Sequence, residues 1–357
     1  MTTFCKALTS AASFRITGDN GTMTFNPCCV YDGDIPFHPT LFKRNRKLFA
    51  EATTFLPGCH RCELKERTHG FSQRTMFNRE LEVDETNITK LEIVIDTTCN
   101  AACIQCGPSQ SSLWRKEVAY PNRVIHIQPE QQISNYVEQI KKDIDLTKVK
   151  SFHFWGGEPL LTDTHLQFLN EVSNPAEVSI SYSTNMSIMP DDELLRLWEK
   201  FKNIRIHASV DGVGDKFDYI RWPISWGKAS RNMISLRENS LSNMDLGINH
   251  CVLPLNIFYI DELGEWLDKN FSRANNGTAI PYAFIRGEGT LDIAKTPLLL
   301  REAVWKKYGD NHTASKILKE VPEDTNITPM IDHLDHLDAK RNLSWQTTFK
   351  EVAGYFK

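Results

Sequence analysis

Three observations predict an α/β fold built on a parallel sheet. Short apolar runs alternate with stretches of helical period from residue 90 to about 290. Polar and glycine residues gather where each run ends, and three closely spaced cysteines follow the first run. Such sheets and barrels keep their chemistry at the carboxyl ends of their strands, so a cysteine loop there marks a candidate site.

The elements follow in chain order. Leu91-Glu92-Ile93-Val94-Ile95 reads as a strand that runs into the loop holding Cys99, Cys103 and Cys106. Ser151-Phe152-His153-Phe154-Trp155 reads as a buried strand ending in Gly156-Gly157-Glu158-Pro159. Val178-Ser179-Ile180-Ser181-Tyr182 leads to Ser183-Thr184-Asn185, and residues 191–198 then show helical spacing with acidic residues at the positive end of the helix dipole. Ile204-Arg205-Ile206-His207-Ala208 leads to Ser209-Val210-Asp211-Gly212. Residues 246–252 and 280–285 supply two more strands, with a helix over 260–269 between them. His153 and Cys251 fall inside apolar strand patterns and are expected as core residues rather than ligands. Beyond residue 295 the pattern turns helical and polar. Residues 298–305 and 314–319, and Leu334, Leu337 and Leu343, suit amphipathic helices packed on the sheet as a cap over its open face.

Composition excludes several classes. With 357 residues, 41% hydrophobic and 24% charged, the chain matches an ordinary soluble enzyme. No apolar run approaches the roughly 18 residues that span a bilayer. A formal charge of −4 supplies no global field for nucleic acid. The run Lys43-Arg44-Asn45-Arg46-Lys47 reads as a solvated helix face or a docking edge for an acidic partner. The amino terminus shows no basic region followed by an apolar core, so a reducing cytoplasmic location is expected. Clustered cysteines there signify metal.

The spacing Cys99-x3-Cys103-x2-Cys106 offers three thiolates. Four would close an iron–sulfur cluster; three leave one iron free to hold a substrate or cofactor. On the triplet alone, a zinc knot or a structural cluster with a ligand from elsewhere stays open. Gly156-Gly157, just past a strand, lets backbone approach a ligand closely. Taken in this order, the two motifs resemble the radical S-adenosylmethionine (SAM) superfamily. The resemblance implies a partial (βα)6 TIM-like barrel and a 4Fe-4S cluster with an open iron on Cys99, Cys103 and Cys106. It also implies that SAM chelates this iron and that Gly156, Gly157, Glu158 and Pro159 contact the amino group of its methionine. Ser183, Thr184 and Asn185 fall where family members contact the SAM carboxylate or ribose, and Ser209 and Asp211 at the ribose-facing position of the next strand. The same residue types also favour turns and helix caps for local reasons. One position departs from the pattern: many members carry an aromatic residue near the adenine just before the last cysteine, where this chain has Gln105. Residues 107–114 are expected either to shield the cluster or to open a capped helix with Trp114 packed on the barrel.

Five further cysteines, Cys5, Cys28, Cys29, Cys59 and Cys62, lie in the opening segment. Four thiolates drawn from them suit zinc or a second cluster, and spacing alone favours zinc. Their order around a glycine-containing stretch over 18–25, with Glu63-x2-Glu66 and Gly70-x-Ser72-x-Arg74 following, is similar to the Twitch and SPASM modules that hold auxiliary 4Fe-4S clusters. Those modules usually follow the barrel; here the segment precedes it. The preferred ligands are Cys5, Cys59 and Cys62 with either Cys28 or its neighbour Cys29, Cys28 being the first choice and Cys29 the spare. Three domains are expected: an auxiliary cluster domain over 1–85, the partial barrel over 86–295 and a helical extension over 296–357.

The implied activity is reductive cleavage of SAM to a 5′-deoxyadenosyl radical, fed by a reductant such as flavodoxin or ferredoxin. The radical then removes hydrogen from a peptide or protein substrate for oxidative modification. No clear leader-binding stretch is seen, which keeps open the same chemistry on a nucleotide, sugar or amino-acid derivative. A zinc- or cluster-containing binding module without turnover is the alternative of another class, and the glycine-lined Gly156–Pro159 turn weighs against it. Arg221, Arg286 and Glu288 are candidates for holding a polar substrate near the barrel mouth, each otherwise a surface or salt-bridged residue.

Overall fold

In the computed structural model, residues 5–17, 22–33, 35–69, 72–84, 86–117, 130–271, 282–286 and 289–356 are described. Nine strands join in one sheet: β1 (Ala11–Thr17), β2 (Thr22–Asn26), β3 (Ile35–Pro36), β4 (Lys90–Val94), β5 (Ser151–Phe154), β6 (Ser179–Thr184), β7 (Asn203–Ser209), β8 (Met244–Val252) and β9 (Tyr282–Arg286). Their spatial order is β3-β2-β1-β4-β5-β6-β7-β8-β9. From β4 to β9 every neighbouring pair is parallel, and consecutive strands are neighbours. The six strands read from the sequence are therefore present in order.

The sheet does not stop at six strands. β1 pairs parallel with β4, Ala11 lying opposite Lys90, and β2 and β3 add antiparallel strands beyond it. The six expected strands are thus the larger part of an open nine-stranded sheet, and the opening segment shares that sheet. Ala11, Ala12 and Phe14 are buried along β1, which explains why it packs there despite having little β-branched character.

Burial alternates strictly along β5, β6 and β7. Phe152, Phe154, Ile180, Tyr182, Ile204 and Ile206 bury one face against helices, with Phe168 and Trp198 in the same core. His153, Ser181, Ser183, His207 and Ser209 occupy the opposite face, where they are only partly buried. Parallel sheets are ordinarily apolar on both faces. A polar inner face marks this one as lining a site.

Helices fill the crossovers. Asp191 accepts from Leu194 N at 2.8 Å and caps the helix Asp192–Trp198 as its acidic start suggested. The basic run lies on the helix Pro39–Ala50, but Arg46 donates to the carbonyls of Thr9 at 2.6 Å and Thr86 at 3.1 Å, so this position is a tether rather than a solvated face. A second core, including Leu253, Leu300, Val304, Met330 and Leu334, packs the carboxyl-terminal helices against Ala102, Ile104 and Trp114 of the cysteine loop.

Candidate active site at the carboxyl ends of the strands

The cysteine loop leaves β4 and is held at almost every turn. Ser112 Oγ accepts from Cys99 N at 3.0 Å, Ser111 Oγ donates to Ala101 O at 2.6 Å, and Trp114 Nε1 donates to Cys103 O at 2.7 Å. Ala102 N and Ile104 N donate to Trp222 O and Ile220 O. The segment after Cys106 forms the short helix Ser112–Glu117 with Trp114 buried, which matches the capped-helix reading. Gln105 turns its amide to Asp211 Oδ2 at 2.6 Å and so fastens the loop to the end of β7.

The three sulfurs feel one another. Burial pushes the Cys99 and Cys106 thiols up to about 12, and the charge of Cys103 adds to both. Burial also raises Cys103, while Arg221 opposes it from 3.8 Å. Ala101 N points at Cys99 Sγ over 3.4 Å. Three buried thiols that resist ionisation alone but have donors aimed at sulfur fit a cationic centre that stabilises them as thiolates. Among the described residues no three His, Cys, Asp or Glu side chains converge as a single-ion site. A cubane cluster gives each thiolate its own iron, so its ligands need not converge on one point.

The glycine turn is built against this loop. Gly156 has φ +120°, and a Cβ on it would lie 2.8 Å from Val94 Cγ1. A Cβ on Gly157 would lie 2.2 Å from Thr98 O. The two glycines thus make room for the cysteine loop itself, a nearer reason than the approach to a ligand read from the sequence. Glu158 is 2% exposed and accepts from Thr184 Oγ1 at 2.8 Å, Asn185 N at 2.7 Å and Leu160 N at 3.2 Å. Pro159 opens the short turn Pro159–Leu161. Asn185 Nδ2 donates to Asn100 Oδ1 at 3.0 Å, and Asn100 Nδ2 to Ser187 Oγ at 2.9 Å, closing the link between β6 and the cysteine loop.

The expected SAM-contacting residues therefore gather at one end of the sheet but differ in availability. The polar groups of Glu158, Thr184 and Asn185 bond one another. Asp211 is fully buried and accepts from Gln105, from Arg221 Nε at 2.6 Å and from Cys251 N at 2.7 Å. Ser183 Oγ lies 3.4 Å from His153 Nε2, and Ser209 is half-buried on the polar face. Arg221, read as a substrate-holding candidate, is committed to Asp211 and Cys103 instead. The backbone of Arg286 belongs to β9, while its side chain and Glu288 lie outside the described residues.

Two residues missed in the sequence complete the support. Arg341 Nη2 donates to Ala102 O at 2.7 Å, and His333 Nε2 lies 3.1 Å from Ile104 O. No local pattern announces them, because both lie more than two hundred positions along the chain from the loop they hold.

The amino-terminal cysteines divide between two cavities. Cys5, Cys28, Cys59 and Cys62 line one, together with Leu8, Arg74 and Phe77. Burial raises Cys5 and Cys28 and pushes Cys59 up to about 11, and the charges of these thiols act on one another. Arg74 Nε donates to Glu66 Oε1 at 2.8 Å in a buried pair beside this cavity. Cys29 instead lines a second cavity of about 810 Å³ on the polar face of the sheet, with Lys90, Glu92, His153 and His207. Arg15 donates to the carbonyls of both Cys28 and Cys29, which pins the dipeptide in the wall between the two.

The thiols after β4 and the glycine turn after β5 thus stand at the carboxyl ends of parallel strands, where α/β sheets keep their chemistry. Residues 93–267 match the model of the Radical SAM superfamily, so this segment is a radical SAM domain and the chain that carries it is an enzyme. Among solved structures the chain is similar to native anSMEcpe with bound AdoMet, at 14% identity over 66% of this chain and 63% of that one, with a TM-score of 0.40. It is similar to Streptococcus suis SuiB bound to precursor peptide SuiA at 13% identity over 90% and 59%, with a TM-score of 0.39. It is also similar to TYW1 with a lysine-pyruvate adduct bound, at 12% identity over 76% and 90%, with a TM-score of 0.33. The chain matches 63% of the anSMEcpe chain's length. No curated protein matches it. No helix among the described residues is long and apolar enough to cross a membrane.

Proposed function

We propose that the protein reductively cleaves SAM and uses the radical to oxidise a peptide or protein substrate. The observation that carries this reading is the meeting of three mutually interacting buried thiols, Cys99, Cys103 and Cys106, with the Gly156–Pro159 turn at the carboxyl ends of β4 and β5. With a 4Fe-4S cluster and SAM bound there, the site supplies one-electron cleavage of the sulfonium and a 5′-deoxyadenosyl radical. The chain's own residues orient and enclose. Arg221 offsets thiolate charge at Cys103, Asp211 holds Arg221 and Gln105, and the Gly156–Pro159 turn, Ser183 and Ser209 are assigned to SAM. Such a radical takes hydrogen from carbons that no side-chain base can activate, so positioning and exclusion of water are the protein's share.

The peptide reading rests on the four thiols Cys5, Cys28, Cys59 and Cys62, which suit a second 4Fe-4S cluster as in Twitch and SPASM modules. Cys28 belongs to that cavity and Cys29 to the polar-face cavity, so one peptide unit separates a redox centre from a ligand chamber. On this reading residues 1–85, 86–295 and 296–357 serve as cluster module, barrel and cap within one sheet-based body, a flavodoxin or ferredoxin delivers electrons, and the cytoplasm is the working compartment. The chamber's size and mixed polar lining also suit a small molecule, the second reading.

Anaerobic purification followed by iron, sulfide and zinc analysis tests the proposal, with dithionite and SAM then added and 5′-deoxyadenosine measured. Cleavage is expected, and is expected to vanish when Cys99, Cys103 and Cys106 become alanine. Zinc without cleavage, or cleavage that survives the triple substitution, overturns it.

A further inference from the structure

Strand alternation carries Glu92 to the polar face of the sheet while Leu91 and Ile93 enter the core. Its side chain lines the 810 Å³ cavity yet is only 2% exposed, and its Oε2 has no hydrogen-bond partner. A buried carboxylate is costly unless a cation or donors meet it.

Lys90, Lys150, Lys202 and Arg205 line the same chamber and Arg15 lies on the neighbouring strand, but among the described residues none of them forms an ion pair with Glu92. The ammonium of Lys90 sits over the Phe77 ring, 5.7 Å from its centroid, and makes no ion pair with Glu92 among the described residues. Burial and the Lys90 charge hold His153 neutral, and its Nδ1 lies 2.6 Å from Ser181 Oγ. Burial, with Arg205 and Lys90, pushes His207 down to about 4, so it too is neutral at physiological pH. The Cys29 thiol, itself raised by burial and by Glu92, offers a weak neutral donor. Glu92 thus stands in the wall of the chamber with its Oε2 unpaired.

We infer that this chamber binds a ligand presenting a primary ammonium group, which pairs with the Glu92 carboxylate while His153, His207 and Ser181 line its path. A charge-assisted bond to a carboxylate is about twice as strong as a neutral one, and a site built around a buried polar group rejects analogues that leave it unpaired. A lysine side chain of a peptide and a free amine share this chemistry. The inference rests on the reading of the chamber as the substrate site, but its test needs neither SAM nor a reductant.

Saturation-transfer NMR on the anaerobically purified full chain compares three probes: Nα-acetyl-lysine amide, its Nε-acetyl derivative and Nα-acetyl-norleucine amide. The lysine probe is expected to bind at least about ten-fold tighter than the other two. Glu92→Gln is expected to erase that preference, and Lys90→Met, which removes a repelling charge, to strengthen lysine-probe binding at least about two-fold. Equal binding of the three probes overturns the inference without any variant. So does a preference that persists in Glu92→Gln, or weaker binding in Lys90→Met. Production of 5′-deoxyadenosine by the unaltered protein is scored separately, so failure of the radical reading and failure of the ammonium site are distinguishable.

Discussion

A methyl group on Gly157 has nowhere to go. It would stand 2.2 Å from Thr98 O and 2.7 Å from Thr97 C, both backbone atoms that cannot swing aside as a flexible side-chain tip can. The turn donates from Gly157 N to Asp96 O at 3.2 Å and from Glu158 N to Thr98 O at 2.8 Å, so pushing the strands apart breaks the bonds that align the cysteine loop. Gly157→Ala is expected to destabilise the protein by about 1–3 kcal/mol, as overpacking does, and to shed iron from the Cys99 site. Thermal melting and iron analysis check this; a variant with unchanged melting and iron would show that the two loops are not locked together. The glycine pair was visible in the sequence, but its first duty was not. A run of residues shows that side chains are missing, whereas only the neighbouring strand shows what fills the space.

Elements explain how the eight residues from Cys99 to Cys106 keep their shape. The helix Thr328–Arg341 reaches it through Arg341, whose guanidinium donates to Ala102 O at 2.7 Å and grips Glu117 at 2.8 and 2.7 Å. The same guanidinium lies 5.3 Å from the Trp114 ring and 4.7 Å from the Trp222 ring. Arg341→Met keeps apolar bulk but leaves Glu117 buried without its cation, a loss of about 3–5 kcal/mol. A drop in melting temperature, with iron lost preferentially from the Cys99 site, is expected; iron retention at wild-type levels would deny the helix its buttressing role. Residues 296–357 were legible as helices from leucine spacing, and as packed on the sheet. Their grip on the cysteine loop was not, because it runs through single polar groups meeting carbonyls, and hydrogen-bond partners far apart in sequence leave no periodic trace. The six strands from β4 to β9, by contrast, were legible because alternation and terminal polar residues are local properties.

At the scale of the whole molecule the sheet couples the two cysteine sites. β1 emerges next to Cys5 and lies against β4, which ends at the Cys99 loop, with registered pairs from Ala11–Lys90 to Arg15–Val94. Arg15 on that strand also holds the Cys28 and Cys29 carbonyls. The cysteines of the opening segment stood out in the sequence, but the strand that ties them to the rest did not, since Ala11-Ala12-Ser13 carries little strand propensity and gains its place by burial against β4. The separability of the sites is then a quantitative question. Replacing Cys59 and Cys62 together by alanine removes half of the four-thiol set and is expected to roughly halve the bound iron. Because a metal that binds only the folded site contributes its binding energy to folding, melting should also fall, through β1 and its pairing with β4. The Cys99 loop, however, keeps its own supports in Ser111, Ser112, Trp114 and Arg341. SAM cleavage in the absence of substrate is therefore expected to persist at a measurable fraction of the unaltered rate, while turnover of a substrate is lost. If cleavage disappears together with the amino-terminal metal, the two centres form one cooperative unit, and the sheet transmits the loss further than its local bonds suggest.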